Sequence, residues 1–318
     1  MGSRTQTTSP LLYTSCVVDH VQDHLGIVGA ISLLCVQSPS ANISKVHNSP
    51  IALLAFVDTV VSMCEKIDIC TQDNTMKLSA IQYKPPKAQT QVARGELLHL
   101  VEQSAKQGAD IIVCPEMAVS GYVFESKEHI RPHCERADGP TAKELAKIAK
   151  VYRSWIVCGI AEEAPDGTLY NSAVVLSSTG DLVACYRKIL LYELDETWCT
   201  PGTDRMLIQT EFGSLAPAIC MDLNDNELIY WMWRAKPDIL AFCTNWLNQD
   251  SPIDSYWKWR TPHWNGWFVG ANRWGVDLDT PFRGESAIIA PNKATVAQAQ
   301  IEGDAILMWD TEDPPEST

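Results

Sequence analysis

Past residue 75, short apolar runs with strand-like patterning alternate with stretches whose apolar residues recur at helical spacing. Residues 76–83 alternate like a half-buried strand. Residues 93–107 read as an amphipathic helix with Leu97, Leu98, Leu100 and Val101 on one side. Gly108, Ala109 and Asp110 end it and lead into a strand at 111–115. A second helix is predicted over Pro140–Tyr152, with Leu145, Ile148 and Ala149 at helical spacing. Strands follow at 154–161, 170–177 and 181–188, the last two joined by Ser178-Thr179-Gly180, a tight hairpin signal. Further strands are predicted at 214–220, 238–244, 267–272, 285–290, 295–300 and 304–309, with helical segments near 225–234 and 254–265. β-α-β units mixed with hairpins imply a layered α/β domain with large, partly antiparallel sheets.

The first 75 residues differ in style. They hold four of the cysteines but only three basic residues, Arg4, Lys45 and Lys66. Their two apolar runs, 25–36 and 51–57, are too short to span a bilayer. Asp19 and Asp23, not basic residues, precede the first run, which argues against a signal peptide; one arginine against six acids argues against a transit peptide. The expected organisation is an N-terminal extension at 1–75, poorly packed or reflecting a start assigned too early, and a domain at 76–318. Deleting the extension is expected to leave fold and activity intact.

Composition narrows the function. The chain of 318 residues is 46% hydrophobic, enough for a sizeable core, and carries a formal net charge of -14. No basic patch is visible, so neither nucleic acid nor an anionic membrane is the expected partner. The 11 cysteines are odd in number and irregularly spaced, and the seven histidines form no ligand cluster. A metal site and a disulfide framework are both disfavoured, and a reducing, cytoplasmic setting is expected.

Three of the predicted strands end at residues with chemistry. The run 215–219 ends at Cys220, the run 111–115 ends at Glu116, and the strand through Tyr186 and Arg187 ends at Lys188. Taken singly, each has a bland reading: an inert core thiol, a solvated turn acid, a surface lysine. Taken together, a thiol, a carboxylate and an ammonium at strand ends are the parts of an acyl-transfer site. Glu116 and Lys188 lie 72 residues apart, Lys188 and Cys220 lie 32 apart, and Glu196 follows Lys188 by eight.

These residues resemble the nitrilase, or carbon-nitrogen hydrolase, superfamily. The resemblance rests on Pro115-Glu116-Met117-Ala118-Val119-Ser120-Gly121-Tyr122, on Tyr186-Arg187-Lys188 with Glu196 and Pro201-Gly202, and on Ile219-Cys220-Met221-Asp222. Asn245-Trp246, Ala271-Asn272-Arg273 and Phe282-Arg283-Gly284-Glu285-Ser286 also look like landmarks of the family. The match runs over about residues 77–310. The Cys-Met-Asp-Leu form is similar to that of the protein N-terminal asparagine amidohydrolase branch, while Leu223-Asn224-Asp225-Asn226-Glu227 departs from the Phe-Pro-Glu common after the cysteine.

The resemblance implies a four-layer α-β-β-α sandwich that forms homodimers or higher homo-oligomers through helices beside the site. It implies catalysis by Glu116, Lys188, Glu196 and Cys220 without cofactor or metal, with the Met221 N–H as a second oxyanion donor and Trp246 in the pocket. The activity implied is hydrolysis of a linear carboxamide, a small molecule, to acid plus ammonia through a Cys220 thioester. A nitrile or an N-carbamoyl amine remains open as substrate, as does a catalytically silent binding protein on the same scaffold. Arg187, Arg260 and Arg273 are candidates for binding a substrate carboxylate. Of the tryptophans after the nucleophile (231, 233, 246, 257 and 259), most are expected in the core or at an interface.

Overall fold

The computed structural model describes residues 75–249 and 251–313. The extension proposed at 1–75, with its apolar runs, lies outside the described residues apart from Thr75. Among the described residues, no helix is long and apolar enough to cross a membrane.

Two six-stranded sheets form the centre. The first holds β1 (Lys77–Gln82), β2 (Ile111–Val113), β3 (Trp155–Glu163), β4 (Leu169–Leu176), β5 (Leu182–Arg187) and, at its other edge, β14 (Ala305–Asp310), in the order β14-β1-β2-β3-β4-β5. The second holds β6 (Ile208–Thr210), β7 (Gly213–Ile219), β8 (Ile239–Thr244), β9 (Trp267–Asn272), β12 (Ala287–Ile289) and β13 (Thr295–Gln298), in the order β13-β12-β9-β8-β7-β6. A separate hairpin pairs β10 (Trp274–Asp277) with β11 (Thr280–Arg283). In each sheet three central strands run parallel, β1-β2-β3 and β7-β8-β9, and the flanking strands are antiparallel. Parallel strands buried on both faces read as continuous apolar runs, as Ile239–Thr244 does.

The sheets face each other, β1 on β9, β3 on β8 and β4 on β7. Leu78, Ala80, Val113, Val157 and Val175 of the first meet residues such as Ala216, Ala218 and Ala241 of the second in one core. Helices cover the outer faces. Helix α1 (Thr90–Lys106) buries Ala93, Leu97 and Val101 at i, i+4, i+8, and α3 (Pro140–Tyr152) buries Ala142, Leu145 and Ala149, both over the first sheet. Glu135 joins them: its carboxylate accepts from the Thr141 N–H and hydroxyl at the start of α3 and pairs with Arg94 of α1. Between them in sequence, a single turn, α2 (Lys127–Ile130), is capped by the Ser126 hydroxyl. On the second sheet, α5 (Asn226–Ala235) and α6 (Ile253–Arg260) contribute Leu228, Met232, Ile253 and Trp257 to the core. One-turn α4 (Glu193–Glu196) follows the lysine strand. The result is the α-β-β-α sandwich expected.

The elements follow their local chemistry. Pro140 occupies the first turn of α3, where a missing N–H does no harm, and Arg153 closes the helix in the left-handed region. Asp225 caps α5 by accepting from the Glu227 N–H. The β4–β5 turn is the predicted Ser-Thr-Gly turn.

Candidate active site

The chemistry-bearing residues gather at one end of the sandwich, just past the C-terminal ends of β2, β5, β7 and β8. Glu116 follows β2 across Cys114-Pro115, Lys188 follows β5, Cys220 follows β7, and Thr244-Asn245 end β8. Glu116 is the hub and has no exposed surface. Its Oε1 accepts from Lys188 Nζ at 2.7 Å and Asn171 Nδ2 at 2.7 Å, and its Oε2 accepts from the Asn245 N–H at 2.8 Å. Asn245 Nδ2 donates back to the Glu116 carbonyl at 3.0 Å. Since Asn245 comes from the second sheet and Glu116 from the first, these bonds lock the two sheets together at the site.

Close packing enforces this. A Cβ at Gly159 on β3 would sit 2.5 Å from the Glu116 Cα and 2.5 Å from the Pro115 carbonyl oxygen. Only glycine lets β3 pass this close to the glutamate turn. Gly202 plays the same part for the lysine: its N–H donates to the Lys188 carbonyl at 2.7 Å, and a Cβ there would overlap the Arg187 carbonyl oxygen. The Pro-Gly landmark at 201–202 is thereby explained.

Lys188 is fully buried between two carboxylates, Glu116 and Asp195, the latter accepting at 2.5 Å. This corrects the expectation for Glu196, which is exposed. In the single turn of α4, consecutive side chains point about 100° apart, so only one of the two adjacent acids can face Lys188. Asp195 is the one held inward, because its Oδ2 also accepts from the Tyr192 N–H at 3.1 Å. Asn171 of β4 completes the set, its Nδ2 lying 3.2 Å from Asp195 Oδ1. Asn171 and Asp195 were not among the residues expected from sequence; a polar residue inside the buried strand Leu169–Leu176 was the available signal for the first.

Electrostatics follow from burial. Burial lifts the Glu116 carboxyl above its usual range, the Asp195 charge adds to the lift, and Lys188 and Asn171 oppose it. Burial alone would lower the Lys188 ammonium, but the Asp195 and Glu116 carboxylates outweigh it and hold the lysine charged, well above its ordinary value. The Cys220 thiol is pushed up to about 12, first by burial and then by the Glu116 charge, against the opposing pull of Lys188, the Thr244 hydroxyl and the Asn245 N–H. The thiol is therefore protonated at neutral pH and needs a base to become a nucleophile.

Cys220 starts a 3-10 turn (Cys220–Asn224) with φ at 43°, in the left-handed region where a non-glycine residue costs about 1–3 kcal/mol. Such a bend takes the thiol out of the strand line and toward the pocket. The pocket is small, with a cavity volume of ≈ 80 Å³, and Cys220 lines it with Met221, Trp246, Tyr122, Tyr192 and Asn245 among others. Met221, expected to supply an oxyanion donor, and Trp246, expected in the pocket, are both among its lining residues. Trp246 is set from behind: its backbone N–H donates to Asn272 Oδ1 at 2.8 Å, and the Ser286 hydroxyl accepts from the Asn272 backbone N–H at 2.9 Å. The landmarks at 271–273 and 282–286 are the frame of this pocket wall.

The candidate arginines lie elsewhere. Arg187 pairs with Glu162 and stacks on Tyr170. Arg260 donates to the Leu223 carbonyl and to Asn226. Arg273 is buried against Asp277, whose carboxylate also accepts from the Tyr122 and Val123 N–H groups. Their guanidinium groups hold loops and helices in place, and none of the three lines the pocket. Of the other tryptophans, Trp257 is buried and stacks on Phe268, while Trp233 and Trp259 are exposed on α5 and α6.

Comparison with known proteins gives the family and the fold. Residues 77–311 match the family described as carbon-nitrogen hydrolase. The protein N-terminal amidase of Schizosaccharomyces pombe is 27% identical over 259 residues, covering 67% of this chain and 91% of that protein. A nitrilase of Pyrococcus abyssi is 27% identical over 226 residues, covering 70% and 85%. Among solved structures, a mutant amidase of Nesterenkonia sp. bearing the acetamide moiety of fluoroacetamide on its active site cysteine superposes with a TM-score of 0.65 at 17% identity, covering 74% of this chain and 89% of that one.

Proposed function

Because the chain belongs to the carbon-nitrogen hydrolase family, as a hydrolase of non-peptide carbon-nitrogen bonds, we propose that it is a thiol-dependent amidase that converts a linear carboxamide to a carboxylic acid and ammonia through a thioester on Cys220. The observation that carries this reading is the buried Glu116–Lys188–Asp195 array together with the Cys220 thiol at the pocket wall. In the proposed reaction, Glu116 takes the thiol proton as the sulfur–carbon bond forms. The carbonyl oxygen becomes an oxyanion, met by the Lys188 ammonium and the Met221 N–H. Glu116 then delivers the proton to the nitrogen as the carbon–nitrogen bond breaks and ammonia leaves. Water, deprotonated by Glu116, opens the thioester. Lys188 spends two of its three N–H bonds on the carboxylates, which leaves one for the substrate oxygen.

The acyl part of the substrate is proposed to lack a carboxylate. The described pocket-lining residues are Tyr122, Tyr192, Cys220, Met221, Asn224, Asn245, Trp246, Leu247 and Gln249, without a formal charge among them. Behind them, Glu116 and Asp195 already outnumber Lys188. A substrate carboxylate would lose its hydration without gaining a partner. The names of amidase relatives support the amide, and the active site cysteine of the Nesterenkonia structure, which carries an acetamide moiety, supports a reactive thiol.

An ammonia-release screen tests both parts. Aliphatic amides with uncharged ends are expected to be hydrolysed, and amides of the same length ending in a carboxylate to be at least tenfold poorer in kcat/KM. Turnover confined to nitriles or N-carbamoyl amines would overturn the amidase reading. Labelling by iodoacetamide with no preference for Cys220 would point to a silent scaffold. We also propose a cytoplasmic homo-oligomer, with the exposed Tyr230, Trp233 and Trp259 of α5 and α6 as support; a monomer by light scattering at micromolar concentration with full activity would contradict the assembly.

A further inference from the structure

Resting on the amidase reading above, we propose that Asp222 is a positioning residue that fixes the two oxyanion donors, the Lys188 ammonium and the Met221 N–H, relative to each other. Asp222 is 1% exposed. Its Oδ1 accepts from the Ile189 and Leu190 N–H groups, each at 2.9 Å. Its Oδ2 accepts from the Tyr186 hydroxyl at 2.7 Å and from the Ile219 N–H at 2.9 Å. The donors are not a random set. Ile189 and Leu190 directly follow Lys188, Tyr186 precedes it by two, and Ile219 directly precedes Cys220.

The need for such a tie comes from topology. Lys188 leaves β5, an edge of the first sheet, and Cys220 leaves β7 in the second. No β-ladder connects those two strands. The Asp222 carboxylate crosses the gap and binds the backbone on both sides of it. Within its own segment it also closes onto the Ile219 N–H the 3-10 turn that carries the Met221 N–H. An oxyanion hole depends on donors placed within tenths of an ångström of where the charge develops, so one residue that sets both donors governs the acylation step without touching substrate.

Only a carboxylate can do this. Two oxygens take two donors each. In Asp222→Asn, the amide NH2 would face two donors in place of an acceptor. The test compares kcat, KM and the rate of Cys220 alkylation by iodoacetamide in the wild type, Asp222→Asn and Tyr186→Phe. Alkylation displaces iodide at a saturated carbon and forms no oxyanion, so it reads the thiol and its base alone. For Asp222→Asn the expected result is a fall in amide kcat of at least 100-fold, KM within threefold, and alkylation within threefold. Equal falls in hydrolysis and alkylation would overturn the proposal, as would a kcat within threefold of wild type. Tyr186→Phe removes one donor and leaves the three backbone bonds; it is expected to fold and to lower kcat about 3- to 10-fold with alkylation unchanged. An unchanged kcat there would overturn the proposal even if Asp222→Asn failed to fold. A wild-type enzyme that is alkylated at Cys220 but releases ammonia from no amide would instead refute the amidase reading.

Discussion

Lys188 and Asp195 meet at 2.5 Å with both side chains sealed from solvent. Buried ion pairs are costly to break, because removing one partner strands the other charge. Asp195→Asn is therefore expected to lower kcat/KM by at least 100-fold and to reduce stability by about 3 kcal/mol. Glu196→Gln, at the exposed neighbour, is expected to stay within twofold of wild type on both counts. Steady-state kinetics and denaturant melts of the two variants check this, and the reverse ranking would return the role to Glu196.

Gly159→Ala probes the approach of β3 to the glutamate turn. The added methyl meets backbone at 2.5 Å on two sides, with no flexible side chain to yield. The expected outcome is a loss of about 1–3 kcal/mol in stability, typical of overpacking, together with a larger fall in activity than the change in folded fraction explains. A variant with wild-type melting temperature and kcat would show that the turn can move aside freely.

Much of this site was legible in the sequence, and the exceptions have physical causes. The helix at Pro140–Tyr152 showed its own boundaries, because Pro140 can start a helix and its apolar spacing runs unbroken. The strand ends at Glu116, Lys188 and Cys220 were visible because an apolar run stops at a polar group. Asp195 and Glu196 were not distinguishable, since adjacent acids in a one-turn helix differ only in direction. Asn171 looked like an ordinary polar position of a strand. The hairpin of β10 and β11 went unseen because Pro281 and the acids of residues 277–279 disguise two four-residue strands. Asp222 stood within the recognised motif, but its four partners come from segments up to 36 residues away.

The pH profile separates base-assisted attack from attack by a free thiolate. Glu116 must be ionised to accept the thiol proton, and burial raises its pKa. Activity should therefore be present above that raised value and lost as pH falls through it, at a pH higher than an ordinary carboxylate would give. Burial also pushes the thiol up to about 12, so above the limb set by Glu116 kcat/KM should stay flat through the range where an ordinary thiol ionises. A rise across that range, tracking an ordinary thiol near about 8.5, would contradict the role of Glu116.

Glu116→Gln keeps the shape of the hub but cannot take a proton. Its loss of acylation is expected to exceed 1,000-fold, within the combined reach of general-base catalysis and of the broken pair with Lys188. Stopped-flow measurement of the acylation phase decides it, and normal acyl-enzyme accumulation would remove Glu116 as the acylation base.

The central claim, a thioester on Cys220, is tested most directly by mass spectrometry of enzyme quenched in acid during turnover of an amide that it hydrolyses. The account predicts one acyl group added per chain, mapped to the peptide containing Cys220, absent from Cys220→Ser, and lost at the rate of steady-state turnover. Ammonia release at full rate with no adduct in the wild type, with an adduct on another residue, or from Cys220→Ser within tenfold of wild type would contradict it.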